Sequence, residues 1–229
     1  AITARNTLTY KYGTTRNFIP SFEYNNEHIT LDGNLFYSSS ESTYNPNRKG
    51  AVHSMLAWPT ASGNFHADRG NDTLGQPWQV TQVSGGDWSL PSSYTVAGTP
   101  TMRLRTGQSA ETEYTGGALN LSFDREIGPA FVTFKTGAKL QQARYDFDNP
   151  NDSYKYQYTG PLSTAELLQQ IQTGNQHSAA DSGVHYSSIS GATDMYLPSM
   201  FKLYQLYQQN PDHWQHTMSP NDWYNANIA

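Results

Sequence analysis

Residues 130–141 read AFVTFKTGAKLQ, and apolar and polar side chains alternate along most of this segment. The even positions carry Ala130, Val132, Phe134, Ala138 and Leu140. The odd positions carry Thr133, Lys135, Gly137, Lys139 and Gln141. A period of two is typical of a β-strand that has one apolar and one polar face. The segment therefore predicts a strand with both lysines on the polar face.

A second alternating segment lies just before this strand. Residues 118–124 place Leu119, Leu121 and Phe123 between polar neighbours. The link between the two segments contains Gly128-Pro129, a pair with strong turn chemistry. We therefore expect an antiparallel hairpin over about residues 110–147.

The N-terminal region predicts another hairpin, over about residues 5–40. Ile29, Leu31, Leu35 and Tyr37 share one side of the segment 29–38, and the even positions from Leu8 to Tyr24 are largely apolar. The polar stretch 25–28 between the two segments is a turn of the kind that joins antiparallel neighbours. Pro20 cannot donate a hydrogen bond to a ladder, so it predicts a bulge or an unpaired position.

The connections outside the hairpins are much longer than the turns within them. Residues 41–109 and 148–229 are predicted to be polar loops without a further clear strand. Short turns at one end of the strands and long loops at the other are typical of outer-membrane barrels. Compact soluble domains rarely contain structureless connections of such length.

Two short helices are expected within the second loop. Residues 163–166 read STAE, a capping box that predicts a helix through Ile171 with Gly174 as its stop. Residues 199–207 predict another helix, which ends before Pro211. The second helix is rich in apolar residues and needs a surface to pack on.

Composition excludes several classes of protein. The sequence has no cysteine, which excludes a disulfide framework, a thiolate metal site and a cysteine nucleophile. The net charge is -5 and the Lys and Arg residues are scattered, so the sequence predicts no basic patch that would bind nucleic acid. There is no apolar run long enough for a spanning helix. Known nucleophile, phosphate-binding and zinc motifs are absent, so we expect neither an enzyme nor a bound cofactor.

The second hairpin resembles the barrel of TonB-dependent outer-membrane receptors. The resemblance rests on residues 134–139, FKTGAK, reached through the Gly128-Pro129 turn, and on the loop text YQQNPD at residues 207–212. It implies an all-β, antiparallel transmembrane barrel fragment of two hairpins, about four strands, with long extracellular loops that contain short helices. The parent protein would then import a siderophore, cobalamin or glycan across the outer membrane.

The resemblance also implies which parts of such a receptor lie elsewhere. Because neither a plug nor a TonB box is visible, contact with TonB is expected only through an N-terminal part outside this sequence, and the chain is interpreted as a fragment. The expected partners are outer-membrane lipid and a small-molecule or oligosaccharide ligand.

Alternation assigns the strand residues to two environments. The residues expected to face lipid are Ile29, Leu31, Leu35, Leu119, Leu121, Val132, Phe134, Ala138 and Leu140. Lys135 and Lys139 are expected to face the lumen, because a lysine in lipid at the bilayer midplane costs about 2–4 kcal/mol.

Candidate sites in the loops have two interpretations each. The five tryptophans, Trp58, Trp78, Trp88, Trp214 and Trp223, either collect a ligand by stacking or form small hydrophobic clusters, and the second role is the commoner. His213 and His216 are spaced to share a helical face, yet a histidine pair alone is a weak signal, and no metal site is predicted. The acidic pairs Glu111 with Glu113 and Asp146 with Asp148 are interpreted as solvated charges.

Two other functions fit parts of the pattern. A general porin shares the strands and the loop asymmetry, although its loops are usually shorter. A soluble secreted β-sandwich could bind glycans through loop tryptophans, with the apolar stripes meeting across a core. Periodicity alone does not separate these cases, since each buries one face of every strand.

Overall fold

The structure, a computed structural model, describes residues 1–69, 77–106, 108–148, 154–173 and 184–218. It is mostly β, with antiparallel sheets and no closed barrel among the described strands. The chain divides into two compact units. One comprises Lys11–Tyr44 and Gln108–Asn149, and we call it the sheet unit. The other comprises Ala1–Tyr10, Asn45–Gly107 and Pro150–Ala229, and we call it the core unit.

The sheet unit consists of five strands. They are β2 (Lys11–Phe18), β3 (Ser21–Asn25), β4 (Ile29–Tyr44), β11 (Ser109–Ile127) and β12 (Ala130–Asp148). The order across the sheet is β12-β11-β4-β2, and β3 pairs with β4 as well. All of these pairs are antiparallel. The alternating segments of the sequence form these strands because period two places one apolar and one polar face on each of them.

Both predicted hairpins are present, with different bounds for the first. The second hairpin spans residues 109–148, close to the predicted 110–147. The first spans residues 11–44 and not 5–40. Residues 5–10 belong to the core unit, so the apolar side chains of Leu8 and Tyr10 do not continue the strand.

Pro20 interrupts the first strand without shifting its register. Phe18 pairs with Tyr37 and Ser21 pairs with Asn34, so the pairing resumes in the same register after Pro20. The Pro20 carbonyl still accepts a hydrogen bond from the Leu35 N–H at 3.0 Å. The missing proline N–H therefore leaves an unpaired position, not a bulge.

The two tight turns of the sheet unit have the expected chemistry. Gly128 has φ +63°, and the next residue, Pro129, must have a negative φ. Of the two-residue hairpin turns, type II′ meets both requirements. In the other turn, the Asn26 side-chain oxygen accepts hydrogen bonds from the backbone N–H groups of His28 and Ile29 at 3.0 and 2.8 Å.

The core unit contains the remaining strands, and all of them are short. They are β1 (Ile2–Thr3), β5 (Ser54–Met55), β6 (Pro59–Ala61), β7 (Gly63–Asp68), β8 (Trp78–Gly85), β9 (Thr95–Val96), β10 (Thr101–Arg103), β13 (Lys155–Tyr158), β14 (Val184–Ser187) and β15 (Trp214–Thr217). Their sheets have the orders β1-β6-β9, β15-β13-β10-β5 and β14-β8-β7. The pair β14 and β8 is parallel, and the other pairs of the core unit are antiparallel.

The prediction that residues 41–109 and 148–229 are polar loops without further strands is therefore wrong. Among the described residues, the buried apolar side chains lie in the core unit, including Val52, Met55, Met102, Leu167 and Leu203, each at most 1% exposed. The strands in these two ranges could not be recognised from the sequence, because strands of two to eight residues show too few alternations of apolar and polar side chains.

The two predicted helices are confirmed. Helix α1 spans Thr164–Gln170 and helix α2 spans Met200–Gln209. The predicted stop at Gly174 lies outside the described residues. Within the described ranges, the helices are too short and too polar to cross a membrane. Short 3₁₀ turns occur at Pro46–Lys49, Pro91–Ser93 and Pro211–His213.

The start of α1 is held by the predicted capping box. The Ser163 hydroxyl accepts a hydrogen bond from the Glu166 N–H at 3.3 Å, and the Glu166 carboxylate accepts one from the Ser163 N–H at 2.8 Å. Hydrogen bonds from the Ser163 side chain and backbone lower the pKa of Glu166 below its usual 4.5.

Replacing Ser163 with alanine should destabilise the core unit by about 1 kcal/mol at neutral pH. Because the folded pKa of Glu166 is lowered, its contribution is present above pH 4.5 and is lost as the pH falls through the folded pKa. The difference between Ser163→Ala and the wild type should therefore shrink in acid. Guanidinium unfolding at neutral and acid pH measures it, with Thr164→Ala as the control, and a difference independent of pH would contradict it.

Candidate functional site

The register of the sheet unit separates its side chains into two faces. Directly opposite residues in an antiparallel pair point to the same side. Leu121 is opposite both Leu31 and Thr136, and Leu119 is opposite both Gly33 and Ala138. Extending this register places the nine residues predicted to face lipid on one side, which we call the apolar face: Ile29, Leu31, Leu35, Leu119, Leu121, Val132, Phe134, Ala138 and Leu140.

The apolar side chains of this face form a continuous band across neighbouring strands. Successive cross-strand rows carry Ile29, Phe123 and Phe134, then Tyr24, Leu31, Leu121 and Thr136, then Phe22, Gly33, Leu119 and Ala138, then Leu35, Gly117 and Leu140. We call these rows, which are two residues apart along each strand, the apolar band. On β12 the apolar positions begin at Ala130 and end at Leu140.

Large side chains of the band are exposed to solvent. Leu140 is 80% exposed, Leu35 is 66% exposed and Phe134 is 54% exposed. Soluble proteins rarely expose a contiguous apolar surface of this kind, and where they do it marks an interaction site. The band is therefore the first candidate functional surface of the chain.

Aromatic residues lie at both ends of the band along the strands. Tyr24, Phe123 and Phe134 lie in the two rows nearest the hairpin turns. Phe18 and Tyr37 lie opposite each other in the row just beyond Leu35. Within the band, the Phe22 ring covers Gly33, where a Cβ atom would lie only 2.8 Å from Phe22 Cε1. Only glycine fits beneath that ring.

Beyond the band, the same face becomes charged. The next rows carry Arg16, Glu113 and Arg144, and then Glu41, Glu111 and Asp146. Arg144 lies 3.8 Å from Glu113 and 4.0 Å from Asp146, and its side chain is 72% exposed. Glu111, Glu113 and Asp146 of the acidic pairs noted in the sequence therefore belong to these charged rows, and Asp148 lies one row further, opposite Ser109. Solvent screening leaves such ion pairs little energy.

The opposite face is polar and includes Lys135 and Lys139. Asn120 donates a hydrogen bond from Nδ2 to Asp32 Oδ1 at 2.8 Å, and Thr133 donates one to Asp124 at 2.6 Å. Both lysines lie on this face because their positions are odd on β12, opposite the even positions of the band. Three phenylalanines are apolar exceptions on this face: Phe36 on β4, beside Gly116, and Phe131 and Phe147 near the ends of β12, the last two each at least 67% exposed.

The two ends of the sheet unit differ. Both tight turns, at residues 26–28 and at Gly128-Pro129, join strands at the end nearest Ile29 and Phe123. At the other end of the sheet, strands β2 and β11 begin and strands β4 and β12 finish. All the long connections of the chain therefore leave the sheet from the end that carries the charged rows.

The tryptophans do not form one ligand-collecting surface. Trp88 and Trp214 are buried, with exposures of 1% and 6%, so neither ring lies on an exposed surface. Trp58 is half-buried beneath the guanidinium of Arg5, whose Cζ is 4.7 Å from the ring centre. Trp78 is 44% exposed and lies on β8, which makes the expectation that all five occupy loops wrong. Trp223 lies outside the described residues.

Trp88 is the centre of an aromatic cluster in the core unit. Its ring stacks on Tyr186 at 5.9 Å, and its carbonyl accepts a hydrogen bond from the Tyr94 hydroxyl at 2.9 Å. Tyr186 in turn donates to Gln82 Oε1 at 2.7 Å. Burial raises the pKa of Tyr186 to about 12 and also raises the pKa of Tyr94. Both hydroxyls therefore remain protonated donors, and the cluster serves packing.

The two histidines considered for a metal lie on different elements. His213 ends the 3₁₀ turn and contacts Tyr158, whereas His216 is on β15 and contacts Tyr156 at 5.0 Å between ring centres. Within the ranges that the structure describes, no three metal-ligating side chains are grouped.

A second candidate site lies in the core unit, between α1 and α2. A cavity of about 210 Å³ is lined by side chains of both helices, of β13 and of β15, together with Asn210 and His213. The sequence did not indicate the residues at the rim of this cavity, because exposed amides on a helix or at its C-terminal end follow no recognisable pattern. These residues are Gln170, Gln209 and Asn210. The only available signal was the apolar density of α2.

No model of a known protein family matches the chain, and no curated protein matches it either.

Proposed function

We propose that the sheet unit is part of the wall of a transmembrane β-barrel in an outer membrane, with the apolar face toward lipid and the polar face toward the lumen. The observation that carries this proposal is the apolar band. A β-strand that crosses a bilayer needs about 9–11 residues, and the apolar positions of β12 extend from Ala130 to Leu140. On β12 the exposed apolar positions reach that height, and the four rows of the band continue them across the neighbouring strands, as suits a lipid boundary.

Two further features support this proposal. Barrels of this class carry aromatic residues at both interfaces, and Tyr24, Phe123, Phe18 and Tyr37 lie at the two ends of the band. They have short turns at the periplasmic end and long extracellular loops, as at the two ends of the sheet unit. Lipid-contacting strands also need closed edges, so further strands would pair with β12 and with β2 and β3.

Within this class we propose a TonB-dependent receptor for a small-molecule or oligosaccharide ligand, acting by transport and not by catalysis. The folded core unit, made from the long connections, favours a receptor over a general porin, whose loops are usually shorter. TonB would be engaged only by a segment outside these residues.

The soluble β-sandwich is the competing function, and the exposure of the apolar face argues against it. In a sandwich this face packs on a second sheet. Leu140 is instead 80% exposed and Leu119 is 49% exposed. Glycan binding does not depend on a sandwich.

The coding sequence on both sides of this segment tests the proposal. A TonB-dependent receptor predicts further alternating strands, an upstream plug domain and a short segment that engages TonB. Further strands without a plug would favour a porin. A secreted product with no further alternating strands would overturn the barrel.

A further inference from the structure

We propose that the cavity between α1 and α2 binds one neutral sugar ring. The inference rests on the core unit alone. It would also make the ligand of the proposed receptor a carbohydrate, and that additional step rests on the proposed function.

Each of the two helices lines the cavity with one leucine and one glutamine. Leu167 and Gln170 are three positions apart on α1, and Leu206 and Gln209 are three positions apart on α2. Residues at this spacing share a helical face. Leu167 is fully buried, whereas both glutamines are exposed. Each helix therefore contributes a leucine to the floor and an amide to the rim.

Aromatic rings complete the floor. Tyr158 and Trp214 line the cavity, with their ring centres 5.0 Å apart at an angle of 65°. Aromatic faces carry negative charge density that attracts the positive edges of C–H groups. A sugar ring presents such C–H groups on one face, so a floor of aromatic and leucine side chains suits it.

The rim supplies hydrogen-bonding groups without a formal charge. The side-chain amides of Gln170, Gln209 and Asn210 can each donate and accept, which matches hydroxyl groups that do the same. Among the residues that the structure describes, no Asp, Glu, Lys or Arg lines the cavity, and His213 is the one titratable side chain besides Tyr158. This chemistry favours a neutral polyhydroxylated ligand over an iron chelate or another charged molecule.

One buried donor in the cavity wall has no partner. The Trp214 Nε1–H group is buried and forms no hydrogen bond within the described residues. Because less than 1 Å² of this atom is accessible, it is an unsatisfied donor behind the cavity wall and not a contact for the ligand.

The volume limits the size of the ligand. About 210 Å³ is below the roughly 300 Å³ at which sites for drug-sized ligands begin. At about 30 Å³ per water, the cavity holds roughly seven waters, the space of one small ring. An oligosaccharide would place one unit in the cavity and extend the others into solvent past the exposed glutamines.

Binding can be measured on the full chain in a detergent whose headgroup is not a sugar, because a maltoside or glucoside would compete. The probes are D-glucose, D-galactose and N-acetyl-D-glucosamine, followed by saturation-transfer NMR and titration calorimetry. We expect saturable binding of at least one probe in the millimolar range. Gln170→Ala and Gln209→Ala should each weaken it about three- to tenfold, through the loss of a hydrogen bond.

The matched controls are Gln169→Ala and Gln208→Ala, which remove neighbouring exposed amides of the same helices outside the cavity. Both should bind the sugar like the wild type. The proposal is overturned when none of the three sugars shows saturation transfer, or when the rim variants bind as the controls do. Neither outcome bears on the barrel proposal, because that proposal is tested by the strands encoded in the flanking sequence and not by sugar binding.

Discussion

Lysine in place of Leu119 is expected to destabilise the membrane-embedded protein by about 2–4 kcal/mol. Leu119 lies in the middle of the apolar band, in one row with Phe22, Gly33 and Ala138. In a barrel wall the new ammonium group would enter the hydrocarbon, where it lacks both water and a counter-ion. The measurement is urea unfolding of the complete gene product in lipid vesicles, compared between the variant and the wild type.

The matched control is Asn120→Lys, one residue further along β11. That side chain lies on the polar face, where Asn120 now donates to Asp32, so a lysine there gains a carboxylate neighbour. We expect a change below about 1 kcal/mol. Equal costs for the two variants would contradict a lipid-facing apolar band, because on a sheet in water Leu119 is already 49% exposed and a lysine would cost little.

The other large effect concerns Trp88. Trp88→Ala should destabilise the core unit by about 3–5 kcal/mol, since it deletes a large side chain from a packed interior. The ring is 1% exposed and contacts Phe65 at 6.0 Å as well as Tyr186 at 5.9 Å. Guanidinium unfolding followed by near-ultraviolet circular dichroism reports this transition, because the signal arises from buried aromatic rings.

Trp78→Ala provides the control for this prediction. Trp78 is 44% exposed, and the Arg69 guanidinium lies 5.4 Å from its ring centre. We expect a loss below about 1 kcal/mol, the size of an exposed cation–π contact. Similar losses for the two variants would mean that Trp88 does not organise the core unit.

The long strands could be predicted from the sequence because their signal is local. Alternation between Leu119 and Phe123, and again between Val132 and Leu140, directly shows which side chains share a face. The turn at Gly128-Pro129 then determines the register of the second hairpin. Lys135 and Lys139 could be assigned to the polar face for the same reason.

The core unit could not be predicted, because its contacts join distant parts of the chain. Met55 pairs with Met102, and Tyr158 pairs with Trp214, in strands of two to four residues. No local period marks such strands. The helices were recognised only through the Ser163–Glu166 capping box and the apolar residues of α2, and nothing in the sequence indicated that Gln170 and Gln209 share a cavity rim.

The central claim is that the apolar face contacts lipid. The sequence has no cysteine, so a nitroxide can be attached through single cysteines at Leu119, Leu121 and Phe123 and, separately, at Asn120, Ser122 and Asp124. Collision of each nitroxide with oxygen, which concentrates in lipid, and with a water-soluble nickel chelate is then measured in vesicles. We predict that oxygen reaches the three odd positions and that the chelate reaches the three even positions. Odd positions open to the chelate, or shielded from both agents, would contradict the membrane-spanning wall.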